Sequence, residues 1–184
     1  DFVVVTGAGP IGILAAFVAK AAGAAKVAIT GMTACEHTRF AVARELGADF
    51  IINVEKEDAV QRVMALTHGR GADIVIETSG AGPAIAQSVD MVRKCGRISA
   101  IGISARETVS FPWNAAIYKV LDVAFNMSSS YTAWDRALSL MTNTQKDLGK
   151  VITHKTSIDQ WETVFKELEE EKGIKALFIP SNGC

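Results

Sequence analysis

Cysteine is scarce and scattered: Cys35, Cys95 and Cys184 are the three in 184 residues. None forms a C-x-x-C pair, and Cys35 and His37, two apart, have poor ligand geometry on a helix or loop. The spacing offers no metal site within the chain, and the thiols read as reduced cytosolic ones. Runs of one charge sign are equally few. Lys and Arg are scattered and the formal net charge is −1, which excludes a nucleic-acid surface. Long hydrophobic runs are missing as well. Glycine, lysine or aspartate interrupts every apolar stretch, so no membrane span is indicated. No signal peptide is visible, and the expected location is cytoplasmic. Asp1 stands at the edge of an apolar stretch with no lead-in, which points to a piece of a longer polypeptide. Carboxylates are also absent from one particular place: no acid occurs between Asp1 and Glu36.

Glycine, by contrast, is concentrated where it is costly. "DFVVVTGAGPIG" puts Gly7, Gly9 and Gly12 in a G-x-G-x-x-G spacing directly after a β-branched run. Phe2 to Val5 reads as a short buried strand. From Pro10 the Ala-rich "PIGILAAFVAKAAG" reads as a helix with proline in its first turn and Gly23 as its stop. A helix start directly after a strand offers unpaired N–H groups and the positive end of the dipole, which suits a phosphate. Pro10 has no N–H, so Ile11 and Gly12 are the expected donors. Set between strand and helix, the motif points to a nucleotide site.

The alternation then repeats. Strands are expected at Lys26 to Thr30, Asp49 to Asn53, Ile74 to Ile76, "RISAIGI" (97–103) and Val123 to Met127. Helices are expected at Glu36 to Leu46, across "KEDAVQRVMALT", and across "GPAIAQSVDMVRKCG" (82–96). Six strands alternating with helices predict an α/β chain with a doubly wound parallel sheet and its ligand at the carboxyl ends of the strands. Gly7–Gly12, Gly80–Gly82 and Gly102 all fall at such ends. From about Thr132 the character changes: a helix, then a short strand, a helix over Ser157 to Glu171 with Ser157 as N-cap, and a closing strand. Ile158, Trp161, Val164, Phe165 and Leu168 are spaced for one face of that last helix.

In combination, "VVVTGAGPIG…AAGAAKV", "ELGAD", "GRGADIVIETSG", "RKCGRISAIG" and "VITHKTSIDQWETVF" resemble the zinc-dependent alcohol dehydrogenases of the medium-chain dehydrogenase/reductase family, nearest its sorbitol, threonine and sugar-alcohol branch. The resemblance covers the whole chain. It implies a Rossmann domain over residues 1–143, with residues 144–184 as a small α/β appendage, the returning segment of a catalytic domain whose N-terminal part is absent. That absent part is where the family keeps its zinc ligands. His37, His68 and His154 do not match them, and no catalytic residue is assigned within the chain. The implied function is the NAD(P)-binding half of an oxidoreductase that moves hydride between a nicotinamide cofactor and an alcohol or polyol carbon. Alternatives are a non-catalytic nucleotide-binding module and a zinc-free quinone reductase of the same superfamily. A short-chain dehydrogenase is set aside: its later glycines would fall on Ile11 and Ile13, and Tyr118 is followed four residues on by Asp122 rather than lysine.

The expected cofactor contacts are Gly7, Gly9, Pro10, Ile11 and Gly12 at the pyrophosphate, and Gly31, Met32, Thr33 and Arg39 beyond the second strand. Ser79, Gly80, Gly102 and Ile103, at the later glycine turns, are expected to complete the dinucleotide site. An NAD site places an acid at the end of the second strand. Gly31 stands there instead, with Thr33, His37 and Arg39 nearby, which favours NADP or dual use. The resemblance also implies dimers joined through the edge of the sixth strand. It further implies an under-covered apolar face on the tail helix, around Trp161 and Phe165.

Overall fold

The structure is a computed structural model and describes residues 1–180; Cys184 lies outside the described residues. β1 (Phe2–Thr6) is buried along its whole length. Its side chains alternate between two cores, as a strand with both faces covered requires. Val3 and Val5 join Ile13, Phe17, Phe40 and Leu46 on one side. Phe2 and Val4 join Ala59, Val63, Val75 and Met91 on the other. The first core is roofed by α1 (Pro10–Ala21) and α2 (Arg39–Leu46), the second by α3 (Ala59–Leu66), α4 (Gly82–Met91) and α5 (Trp113–Tyr118). Between them lie β2 (Lys26–Gly31), β3 (Phe50–Asn53), β4 (Ala72–Glu77), β5 (Val92–Ala100) and β6 (Asp122–Phe125). The sheet order is β3-β2-β1-β4-β5-β6 with every pair parallel. This is the doubly wound Rossmann arrangement expected from the alternation, and the order reverses between β1 and β4.

Several boundaries differ from the sequence reading. The helix expected over 82–96 ends at Met91, and β5 starts at Val92 rather than Arg97. The ladder to β4 jumps from Ala72↔Val92 to Ile74↔Arg97. Within the jump Cys95 adopts a left-handed φ of 52°, and Arg93 Nε turns to Asp73 Oδ1 at 2.7 Å. At the other end Ile101 and Gly102 give their N–H groups to the Glu77 carbonyl, which stops the strand at Ala100. β6 covers Asp122–Phe125, not Val123 to Met127, because its pairing with β5 begins at Arg97↔Asp122. A 3₁₀ turn at Thr33–Cys35 delays α2 from Glu36 to Arg39.

After α6 (Tyr131–Asn143), the tail forms β7 (Ile152–Thr156), α7 (Trp161–Glu169) and β8 (Lys175–Phe178), with β7 and β8 parallel. The single helix expected from Ser157 is split: Ser157 caps a 3₁₀ turn at Ile158–Gln160 through Asp159 N, and α7 starts after it. Val151 and Ile174 sink into the α1/α2 core. Lys146 Nζ donates to the Glu45 carbonyl at 2.7 Å. Val164 faces inward, whereas Trp161 and Phe165 remain about half exposed, 48% and 51%. No helix among the described residues is long and apolar enough to cross a membrane.

Candidate functional site

The three glycines after β1 meet three different demands. Gly7 turns the chain with φ +96°, and a Cβ there would stand 3.0 Å from that of Ser79. Gly9 is extended (φ −75°, ψ 178°) and is the N-cap of α1. A Cβ on it would meet nothing within 4 Å, so nothing in the protein itself requires glycine at that position. Gly12 is the tight one: a Cβ would run into the Gly7 carbonyl oxygen and lie 2.8 Å from Thr78 Oγ1. It lets the helix seat against the strand ends. Pro10 occupies the first turn and no side chain caps the helix. Ile13 N makes the first intrahelical bond, to the Gly9 carbonyl at 2.9 Å. Ile11 and Gly12 therefore carry orphan N–H groups of the first turn, the kind of donor that suits a phosphate.

These elements open onto a cleft of about 560 Å³ at the carboxyl ends of β1, β2 and β4. Gly7, Gly9, Gly31, Met32, Arg39 and Ser79 line it together. Gly102 and Ile103 line a neighbouring apolar cavity of about 430 Å³ with Glu77, Phe111 and Phe125. Gly80 joins the two: its N–H donates to Glu77, and a side chain on it would strike the Ile103 carbonyl. Pro10, Ile11, Gly12 and Thr33, also expected contacts, are outside the lining of both cavities, as is Gly80 itself. The Ile11 side chain turns to a separate groove with Leu14 and Val18. Thr33 is outside the cleft lining, and its N–H donates to Glu55 Oε2 at 2.7 Å.

Glu77 was not foreseen. It ends β4, is 2% exposed, and fastens the loop that follows. Oε1 accepts from Thr6 Oγ1 at 3.1 Å, Ser79 N at 2.9 Å, Ser79 Oγ at 2.5 Å and Gly80 N at 3.1 Å. The available signal was a carboxylate closing an apolar strand just before "TSG".

Arg39 is not free. Its Nε donates to the Gly173 carbonyl at 3.0 Å, and Nη1 lies 3.5 Å from Glu171 Oε1. Cys35 Sγ donates to the other Glu171 oxygen at 3.2 Å. Burial and then that hydrogen bond push the Cys35 thiol pKa up, so this cysteine stays protonated and unreactive. Folding also brings acids near the end of β2: Glu36 accepts from Asn53 Nδ2 at 2.8 Å, and Glu55 caps Thr33. His154 Nε2 pairs with Glu167 Oε2 at 3.0 Å in the tail. Among the described residues no group of three or more His, Cys, Asp or Glu stands close enough to hold a metal ion, so the residues present do not fit a zinc centre.

A family model described as "Zinc-binding dehydrogenase" matches residues 10–143. The chain is 37% identical over 180 residues to a sorbitol dehydrogenase of Halalkalibacterium halodurans, covering 98% of this chain and 52% of that protein. It is 35% identical over 182 residues to an L-threonine 3-dehydrogenase of Thermococcus kodakarensis, covering 97% and 51%. Among solved structures, the alcohol dehydrogenase TADH from Thermus sp. ATN1 superposes with a TM-score of 0.88 at 28% identity, over 97% of this chain and 51% of that one. The chain thus spans about half the length of the curated relatives it matches.

Proposed function

The chain belongs to the zinc-binding dehydrogenase family, and from that premise we propose that it is the dinucleotide-binding half of an oxidoreductase acting on an alcohol or polyol carbon. One observation carries the reading. An uncapped helix start, with empty space beyond Gly9, faces a cleft at the point where the strand order reverses, and dinucleotides bind at such a point. Residues 1–143 form the cofactor unit, and residues 144–184 contribute the returning segment of a catalytic domain. Gly7, Gly9 and the N–H groups of Ile11 and Gly12 hold the pyrophosphate, with Pro10 setting the helix start. Gly31, Met32 and Arg39 border the adenosine end, with Thr33 behind them. Ser79, Gly80, Gly102 and Ile103 border the nicotinamide end, oriented by Glu77. When bound, NAD or NADP supplies the carbon that gives or accepts hydride. Zinc assistance belongs, in this reading, to the longer protein. The free thiols of Cys35 and Cys95 accord with a cytoplasmic setting.

Gly9→Val tests this directly. Its side chain has room and its backbone is extended, so the melting temperature should stay near wild type. NADH and NADPH binding, measured by calorimetry, should both be lost. Unchanged binding would reject the site. The chain itself should bind dinucleotide without oxidising alcohols, and turnover by residues 1–184 alone would overturn that division of labour.

Self-association belongs to the same reading. β6 ends the sheet, and Phe125 on it is 86% exposed. Its outer edge offers unpaired backbone groups to a second copy. Phe125→Pro, which removes an outward N–H and spares the pairing with β5, should convert dimers to monomers in sedimentation velocity, and a wild-type monomer at high concentration would contradict it.

A further inference from the structure

We propose that Glu171, delivered from the far end of the chain, reads the adenosine ribose and turns the cleft toward NAD and away from NADP. This rests on the dinucleotide reading above. It revises the expectation of NADP or dual use, which relied on an acid-free end of β2 and on a free Arg39.

Four observations place the selectivity there. First, position 31 cannot carry the usual acid into the cleft. A Cβ on Gly31 would lie 2.7 Å from the Phe40 ring and 3.1 Å from Ala8 Cβ, and both neighbours are buried. Second, among the described residues that line the cleft, Arg39 and Glu171 alone are charged. Third, they neutralise one another. The Arg39 side chain is 12% exposed and spends its Nε on the Gly173 carbonyl, so it offers little to a 2′-phosphate. The Glu171 carboxylate is 23% exposed. Among the described residues each oxygen has one partner, Arg39 for one and Cys35 for the other. A carboxylate oxygen accepts two or more bonds, so each keeps capacity for a ribose hydroxyl. Fourth, the position is held deliberately. Glu171 has a left-handed φ of +58°, uncommon for a residue with a side chain, and its contacts to Cys35 and Arg39 span more than 130 residues of sequence.

The chemistry follows from charge. A carboxylate accepts from the 2′- and 3′-hydroxyls of an unphosphorylated ribose. A 2′-phosphate would instead bring like charge against it, and like charges facing each other in an interface are costly.

Titration of the full chain with NADH and NADPH, by calorimetry and cofactor fluorescence, tests the proposal. Wild type should bind NADH at least about tenfold more tightly, and added salt should narrow that ratio by screening the repulsion. E171Q should narrow it by about fivefold or more, chiefly by strengthening NADPH as Arg39 is released. R39Q should leave the NAD preference in place, and the double variant E171Q/R39Q should lack the gain in NADPH affinity. Circular dichroism establishes that each variant is folded; should E171Q unfold, the R39Q and salt arms still decide. A wild-type preference for NADPH, a ratio indifferent to salt, or a folded E171Q with the wild-type ratio would each overturn the assignment to Glu171 while leaving dinucleotide binding intact. Binding of neither cofactor to wild type would defeat the dinucleotide reading, and this one with it.

Discussion

Asp73 and Glu77 stand four residues apart at opposite ends of β4, and both carboxylates are buried, yet they are held in opposite ways. Asp73 is surrounded by cations. Arg70 binds it through two nitrogens at 2.8 Å, Arg93 Nε lies at 2.7 Å, and Phe2 N–H donates at 2.7 Å. Glu77 takes only neutral donors: the Thr6 and Ser79 hydroxyls and the N–H groups of Ser79 and Gly80. The amino end of the sheet is thus closed by charge compensation. The carboxyl end is organised by short polar groups and glycines beside an uncapped helix start and an open cleft.

The contrast can be broken most severely at Gly12. Although it belongs to the same motif as Gly9, its lack of a side chain answers to packing within the protein, whereas the lack of one at Gly9 does not. Gly12→Val forces a side chain into the Gly7 carbonyl and Thr78 and should cost about 3 kcal/mol or more in urea unfolding. Gly9→Val should be nearly neutral in the same assay. Equal stabilities would erase the distinction between the two glycines.

At the closed end, Asp73→Ala removes four acceptor contacts and strands the Phe2 N–H. A loss of about 2–3 kcal/mol is expected. Hydrogen bonding from Arg70 is the leading cause that holds the Asp73 carboxyl well below the usual carboxylate range, against the opposing effect of burial. A group depressed in the folded state stabilises above its unfolded pKa of about 4 and loses that contribution as pH falls below it. Urea midpoints measured from about pH 6 down to about pH 3 should therefore fall further for wild type than for Asp73→Asn. Parallel curves would show that the ion pairs contribute nothing.

Glu77→Gln sharpens the other side. The shape is kept, but an amide nitrogen must replace one oxygen beside the Gly80 N–H, 3.2 Å from Oε2. A cost of about 1–2 kcal/mol is expected, with amide exchange faster at Ser79 and Gly80. Unaltered exchange there would mean that the loop holds itself.

How much of this was legible in the sequence follows from the range of each interaction. The Rossmann alternation and the glycine turn are local patterns, and strand order followed from them. Glu77 carries no spacing signature, because its donors come from Thr6, 71 residues away, and from the turn it shapes. The start of β5 was hidden because "VRKCG" continues a helical pattern until Arg93 is drawn to Asp73. Arg39 lines the cleft, but its engagement is not legible in the sequence, since its partners lie in the tail, 132 and 134 residues on. Local periodicity reveals elements; it is blind to a side chain's distant partner.

The smallest expected effect isolates what makes the closed end strong. Arg97 Nε lies 2.7 Å from Asp122 Oδ2, the same distance and the same donor atom as in the Arg93–Asp73 pair. The two residues face each other across β5 and β6. The difference is environment: both side chains of the outer pair are 60% exposed, whereas Asp73 is 7% exposed and also receives a backbone N–H. Solvent screening and side-chain entropy should reduce the outer pair to about 0.5 kcal/mol or less. Arg97→Gln should therefore leave the urea midpoint almost unmoved, and a double-mutant cycle with Asp122→Asn should return a coupling within error of zero at moderate salt. A coupling as large as that between Arg93 and Asp73 would mean that distance alone sets the strength, and that the burial of Asp73 beneath β1 is incidental.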